Sequence, residues 1–584
     1  MTPRLVFGRP RGLRRIATAA LVSLLPAACA SGRVDTGDGA AVAPPVTPGS
    51  TLVGNYLAGR HAQATRDVSA AADFLLSALE KSPGDRMLMQ RAMTALLLDG
   101  RVAEALPFAR QLIESEDNSL TARITLAVDA LVAGRHGDAE AELANVSDSA
   151  LGRLLVPLLS AWAMTSEGRT DDALATLAPM SKNRRTKQIH DIHAGLINGA
   201  AGRSEAAVAL FEAALDAQTG KPMRLTTHAG EALERAGNGD KAAALYRAFI
   251  SENRDTRLFD AALARIEAGT SPPLDVASAA DGAAEALFDL AGALARQNVH
   301  ETSLIMARLG LYLRPNFPVL QILAGDLLES LERLDSANEV YATVDRRSAL
   351  SQRVRLNIAV NLNQMNSVDE AVAELRALAA ETTDDASPLI ELGNILRGHE
   401  RFAEAVEAYD GAVDRVGDLE RRHWSLLYVR GIALERSKQW DRAEADFLKA
   451  LEFEPDQPYV LNYLGYSWVE LRKNLDDALN MIRKAVSLRP NDGYIVDSLG
   501  WVYYRLGRYE EGVRELERAV ELRPEDPMIN DHLGDALWKV DRRREARFQW
   551  RRALTLEPPD DIRAKIEEKL KSGLIKEAKA GADD

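Results

Sequence analysis

Residues 496–524 read VDSLGWVYYRLGRYEEGVRELERAVELRP, where Leu499-Gly500, Tyr503, Tyr509, Leu516, Ala519 and Pro524 outline two short helices folded back on each other. Gly500 belongs to a ladder of small residues that runs almost the length of the chain. Its rungs are Gly59, Met93, Ala127, Ala161, Gly195 and Gly230, then Ala291, Gly325, Ala359, Gly393, Gly431, Gly465, Gly500 and Gly534, and most steps are 34 residues. Twelve positions after most rungs stands a second small residue, such as Ala71, Ala105, Ala207, Ala371, Ala443 and Gly512. Antiparallel helices approach closely only where neither carries a bulky side chain, so the first small residue of each pair is expected to meet the second.

A 34-residue period is that of tetratricopeptide (TPR) helix pairs. The expected fold is all-α, a TPR α-solenoid: a right-handed superhelix of about fourteen helix pairs in two halves. Such an array accommodates 584 residues without one central core, because each unit packs on its neighbours. Six pairs are expected over 51–268, with an odd helix around Leu258 to Ala268. The stretch 269–282 contains Pro272-Pro273, where no helix can continue, and reads as a linker. Eight further pairs fill 283–558, and the charged residues of 559–584 read as a capping helix and tail. The C-terminal repeats carry the fuller TPR pattern, with Pro455, Pro490, Pro524 and Pro558 closing successive second helices.

Residues 1–28 have the form of an export signal. Arg4, Arg9, Arg11, Arg14 and Arg15 precede the apolar run Ile16 to Leu25. Cys29, the only cysteine, follows Leu24-Leu25-Pro26-Ala27-Ala28 and resembles the acylated cysteine of a bacterial lipobox, with Pro26 as a departure. The same residues also fit plain secretory cleavage after Ala28 or Ala30. Residues 29–50 are rich in Gly, Pro and small polar residues and read as a tether. Its r.m.s. reach is roughly 25 Å. The expected location is periplasmic and lipid-anchored, with Ala30 favouring the outer membrane by the sorting rule known for such lipoproteins. The formal charge is −14, and removing the five signal arginines leaves −19. With no basic stripe of interleaved aromatics, nucleic acid is not an expected partner.

Of the twenty Trp and Tyr residues, fourteen lie between Trp424 and Trp550. Some belong to repeat packing, but the concave-face positions of the first helices hold Tyr428, Asn462, Tyr466, Val469, Asp497, Trp501, Tyr504, Asp531, Asp535 and Trp538. Tyr459 and Tyr494 stand one turn earlier on the same stripe. Aromatics bury large areas at low rotamer cost and dominate interface hot spots, so this stripe reads as a partner groove. Its carboxylates suit a segment with Lys, Arg or backbone NH donors. Cover for neighbouring helices is the alternative duty of the same rings.

The segments Asp497-Ser498-Leu499-Gly500-Trp501 and His532-Leu533-Gly534-Asp535-Ala536-Leu537-Trp538 resemble the C-terminal block of proteobacterial TPR outer-membrane lipoproteins. The resemblance implies an adaptor that holds a periplasmic carboxyl-terminal processing protease and delivers cell-wall hydrolases to it. A structural scaffold for a secretion or polysaccharide-export complex is the alternative. No enzymatic role is expected: the sequence holds no His-Glu-x-x-His, Gly-x-Ser-x-Gly or phosphate loop. His190 and His193 share a helical face, but no third ligand lies nearby, so neither metal nor cofactor is expected.

Overall fold

The computed structural model describes residues 47–115, 119–253 and 257–574; the signal segment, Cys29, most of the 29–50 stretch and the tail after 574 lie outside them. The described residues form thirty α-helices and one short 3-10 turn, with no strand among them. Fourteen antiparallel pairs account for all but two of these helices. The exceptions are Asp260–Glu267, at the place of the odd helix, and Asp560–Ser572, at the place of the cap. The fold is an all-α TPR solenoid. No helix among the described residues is long and apolar enough to cross a membrane.

Most turns inside a pair carry a residue of positive φ. The first pair has Arg66 there, and the next four have glycine, with Gly100, Gly134, Gly168 and Gly202 spaced 34 apart. Later pairs place Asn298, Glu332, Asn366, Glu400, Lys438, Arg472 and Asp541 there instead. Each of these L-residues accepts a conformation that costs roughly 1 kcal/mol. The turn is therefore fixed by the fit of the two helices, and glycine is only its most economical occupant.

The two small ladders have different jobs. Gly512 lies against the backbone of its partner helix, as expected: a Cβ there would come within 3.0 Å of the Gly500 carbonyl oxygen. The space left by the first small residue is filled from sixteen positions further on. A Cβ at Gly195, Gly230, Gly325, Gly393, Gly431 or Gly534 would strike the ring of Phe211, Tyr246, Tyr341, Tyr409, Phe447 or Trp550. Leu75 and Leu516 take the ring's place over Gly59 and Gly500. Fully burying a large apolar side chain contributes roughly 1.5–3 kcal/mol, so each such seat matters to its repeat.

The chain divides into two compact units, Met1–Asn361 and Leu362–Asp584, so the boundary does not fall in the expected linker. The 269–282 stretch is part of the first unit. Pro272 and Val276 are buried, and Asp275 is held by Arg224 and by Arg314, the latter at 2.6 Å. The seventh pair, Ala279–Arg296 with His300–Leu313, packs back onto the first helices of earlier pairs: Arg86–Asp99, Leu120–Val132, Ala150–Ser166 and Lys187–Ala200. Gly282 lies so close to Trp162 that a Cβ would overlap the indole. The amide of Ala279 donates to Ser166 Oγ at 2.8 Å, and the Tyr312 hydroxyl donates to Asp129 at 3.3 Å. The double proline thus turns the chain back so that the first unit is covered by its own helices.

Candidate functional site

The second unit carries the predicted stripe on the helices Trp424–Arg436, Pro458–Glu470, Gly493–Arg505 and Pro527–Lys539. Its members divide into three groups.

The first group serves packing inside the repeats. Tyr428 is half-buried against Phe447 and Tyr463, with ring centroids 6.3 and 6.2 Å away, and burial pushes its hydroxyl up to about 12. Asp535, 5% exposed, accepts from the indole N–H of Trp550 at 2.9 Å. The same bond recurs one residue after the rung elsewhere: the hydroxyls of Tyr341 and Tyr409 donate to Asp326 at 2.6 Å and Asn394 at 2.9 Å. Tyr246 uses Glu234, one turn further along, at 2.9 Å. A Tyr or Trp sixteen residues after the glycine therefore brings its own acceptor onto the first helix, because a buried donor left unpaired costs about 1–3 kcal/mol.

The second group belongs to the C-terminal cap. Lys569 of Asp560–Ser572 donates to Asp531 and to Asp535, each at 2.8 Å. Trp538 is half-buried, tilted against Trp550 with ring centroids 5.3 Å apart and covered by Gly573, where a Cβ would overlap the ring. Burial pushes the Asp535 carboxyl up to about 6; the neighbouring Asp531 adds to the shift and Lys569 opposes it. Asp531, Asp535 and Trp538 are thus engaged by the chain's own last helix.

In the third group no hydrogen bond comes from the residue seated over the rung, although Tyr504 packs on Tyr509 of its own pair with ring centroids 5.6 Å apart. Where the residue sixteen or seventeen places after the rung is Leu516 or Ile482, it has no donor to satisfy, and the adjacent first-helix positions hold Trp501 and Tyr466. Trp501 is half-buried, stacked on Tyr504 at 4.8 Å and on His532 at 4.1 Å. Its indole N–H donates to Glu470 at 2.8 Å. Tyr466 is half-buried, and burial raises its hydroxyl above the ordinary range. Tyr459 and Tyr494 are 41% and 53% exposed, with the guanidinium groups of Arg489 and Arg523 lying 5.7 and 5.2 Å from their ring centres. The Asn462 side-chain oxygen is shielded from solvent and accepts no hydrogen bond. Asp497, 8% exposed, sits 3.0 Å from His532 Nδ1. Burial opposes the His532 cation, but Asp497 outweighs it and the ring titrates above its usual value.

Sequence reasoning missed His532 and Glu470, which position Trp501 on its face and at its nitrogen. His532 lies two residues before the Gly534 rung, and that spacing is the signal available in the sequence. Of the histidine pair considered for a metal, His193 Nδ1 accepts from Trp162 at 3.1 Å and His190 Nδ1 lies 2.9 Å from Asp191.

The tetratricopeptide repeat family profile matches residues 194–256 and 390–458, and a second tetratricopeptide repeat profile matches 496–526. A TPR repeat-containing protein of Pseudomonas aeruginosa is 29% identical over 151 residues, which is 26% of this chain and 25% of that protein. The chain therefore matches about a quarter of the length of that curated relative. Among solved structures, a tetratricopeptide repeat protein from Parabacteroides merdae superposes with a TM-score of 0.36 at 17% identity, covering 43% of this chain and 96% of that one. Yeast Tom70 gives a TM-score of 0.33 at 12% identity, covering 89% of this chain and 95% of that one. The profile matches take in the repeats of Tyr428 and of Trp501 with Tyr504.

Proposed function

We propose that the chain is a non-enzymatic protein-interaction scaffold whose second unit holds an extended partner segment along Tyr459, Asn462, Tyr466, Tyr494, Asp497, Trp501 and Tyr504. The observation that carries this reading is the half-exposed Trp501–Tyr504 stack. Rigid rings offer area, and the carboxylates of the stripe suit backbone N–H, Lys or Arg groups of the partner. The finer reading is an adaptor in the bacterial envelope that presents cell-wall hydrolases to a periplasmic carboxyl-terminal processing protease. It rests on the export-type segment, Cys29 and the resemblance of the 497–538 block.

Truncating Trp501 and Tyr504 together to alanine is expected to weaken capture of the native partner at least tenfold, about 1.4 kcal/mol. Crosslinking in membranes followed by pull-down measures this, and co-purification of a serine peptidase is the expected catch. Trp538→Ala provides the contrast: it should lower the melting temperature through loss of the cap contact. Unchanged capture by a folded Trp501/Tyr504 variant would remove the stripe from consideration. The anchor is tested separately. Cys29→Ser should release the protein from the membrane pellet on fractionation, and a variant that stays wholly in the pellet would exclude anchoring through that cysteine.

A further inference from the structure

The first unit contains a cleft of about 520 Å³ that the stripe and its partner do not involve. It lies where His300–Leu313 rests against the end of Arg86–Asp99, and its polar lining is Asp99, Arg308, Asn316, Gln321, Glu339 and Thr343. Two groups in it are unsatisfied. Gln321 is only 2% exposed; its amide nitrogen donates to the Thr343 carbonyl at 3.0 Å and hydroxyl at 2.8 Å, while its oxygen accepts nothing. Arg308 Nε is shut off from solvent and donates to nothing.

The arginine is also held in place. Gly100, at φ +88°, passes so near that a Cβ would lie 3.2 Å from Cδ, Nε and Cζ of Arg308. A side chain at Gly100 would be strained by that backbone angle and would press on the guanidinium. A half-buried arginine whose Nε makes no hydrogen bond and a buried amide oxygen that accepts none are costly unless something completes them.

The charges around them select the chemistry. Asp99 and Glu339 are the acidic groups of the lining. A bare anion would meet Arg308 but face both carboxylates. A bare amine would suit the carboxylates and Gln321 but face Arg308. We propose that this cleft binds a small zwitterion, an α-amino carboxylate, with its carboxylate on Arg308 and its ammonium toward the Gln321 oxygen, Asp99 and Glu339. The volume lies within the roughly 300–1,000 Å³ of small-ligand sites and admits a free amino acid or a dipeptide.

Isothermal titration calorimetry on the full chain tests this with L-alanine, L-glutamate, L-arginine and alanyl-alanine, against acetate, phosphate and ethylamine. At least one zwitterion is expected to bind more tightly than about 1 mM, and the single-charge controls at least tenfold more weakly. Binding of alanyl-alanine but of no free amino acid would assign the site to peptide ends; the reverse would assign it to free amino acids. Arg308→Leu and the near-isosteric Gln321→Leu should each weaken binding at least tenfold. If the arginine variant does not fold, the glutamine variant decides. No binding by any of the four zwitterions, equal binding of acetate or phosphate, or undiminished binding by folded Gln321→Leu would overturn the proposal.

Discussion

Replacing Trp162 by alanine is expected to destabilise the first unit by about 3–5 kcal/mol, read as a fall of several degrees in its calorimetric transition. The indole is 1% exposed, is roofed by Gly282 of the seventh pair, and donates to His193 at 3.1 Å. Removing it opens a cavity between two elements and leaves a buried imidazole nitrogen without its donor. The complementary change, Gly282→Ala, forces a methyl group into the ring and is expected to cost about 1–3 kcal/mol. Because both act on one contact, the double variant should lose less than the two losses combined. Strict additivity, or a Trp162→Ala protein that melts like the parent, would mean that the seventh pair does not seat on Trp162.

The second large effect is expected at Glu285. Its carboxylate, 3% exposed, is paired with Arg224 and lies 3.5 Å from His228 and 3.6 Å from Arg314. The same arginines lie over the Phe317 ring, with Arg224 and Arg314 at 5.1 and 4.7 Å from its centre. Glu285→Ala removes a central anion from a buried group of cations, which typically costs about 3–5 kcal/mol. The pH dependence has a definite sign. Burial alone would raise Glu285, but Arg224 and then His228 outweigh it and hold it far below the usual range. A depressed carboxyl contributes stability that is present above its unfolded value, near 4.5, and is lost as pH falls toward the folded one. His228 is lowered by burial and then by Arg224, so the folded state resists its protonation. Its contribution is likewise lost as pH falls below its unfolded value near 6.5. Melting curves from pH 7 to pH 3 should therefore show the first unit weakening, with the fall below about pH 5 shallower in Glu285→Ala. Equal slopes would show that the cluster does not govern acid stability.

The repeat architecture was legible because the rungs from Gly59 to Gly534 are local signals, repeated often enough to fix the phase. The doubling back of the seventh pair was not. Gly282 is a small residue like those of any repeat, and nothing local tells it to meet Trp162 more than a hundred residues earlier. Pro272-Pro273 was read as a break, although the proline pair only redirects the chain, and Asp275 just beyond it is tied to two arginines. At the stripe, position alone placed Asp535 and Trp538 with Trp501. What separates them is the element behind each: Trp550 and the cap claim the former, whereas Leu516 asks nothing of Trp501.

That last difference makes the hidden helix of each repeat an editor of the visible one. A tyrosine or tryptophan seated over the rung takes the neighbouring first-helix position as its acceptor, as Tyr341, Tyr409 and Trp550 do with Asp326, Asn394 and Asp535. A leucine or isoleucine leaves that position free to carry whatever a partner selects. Specificity can then migrate from one repeat to the next by a paired exchange, one residue inside and one outside, while the stacking of the array stays intact. A long solenoid built this way holds a reserve of silent surfaces, each two substitutions from becoming a recognition site.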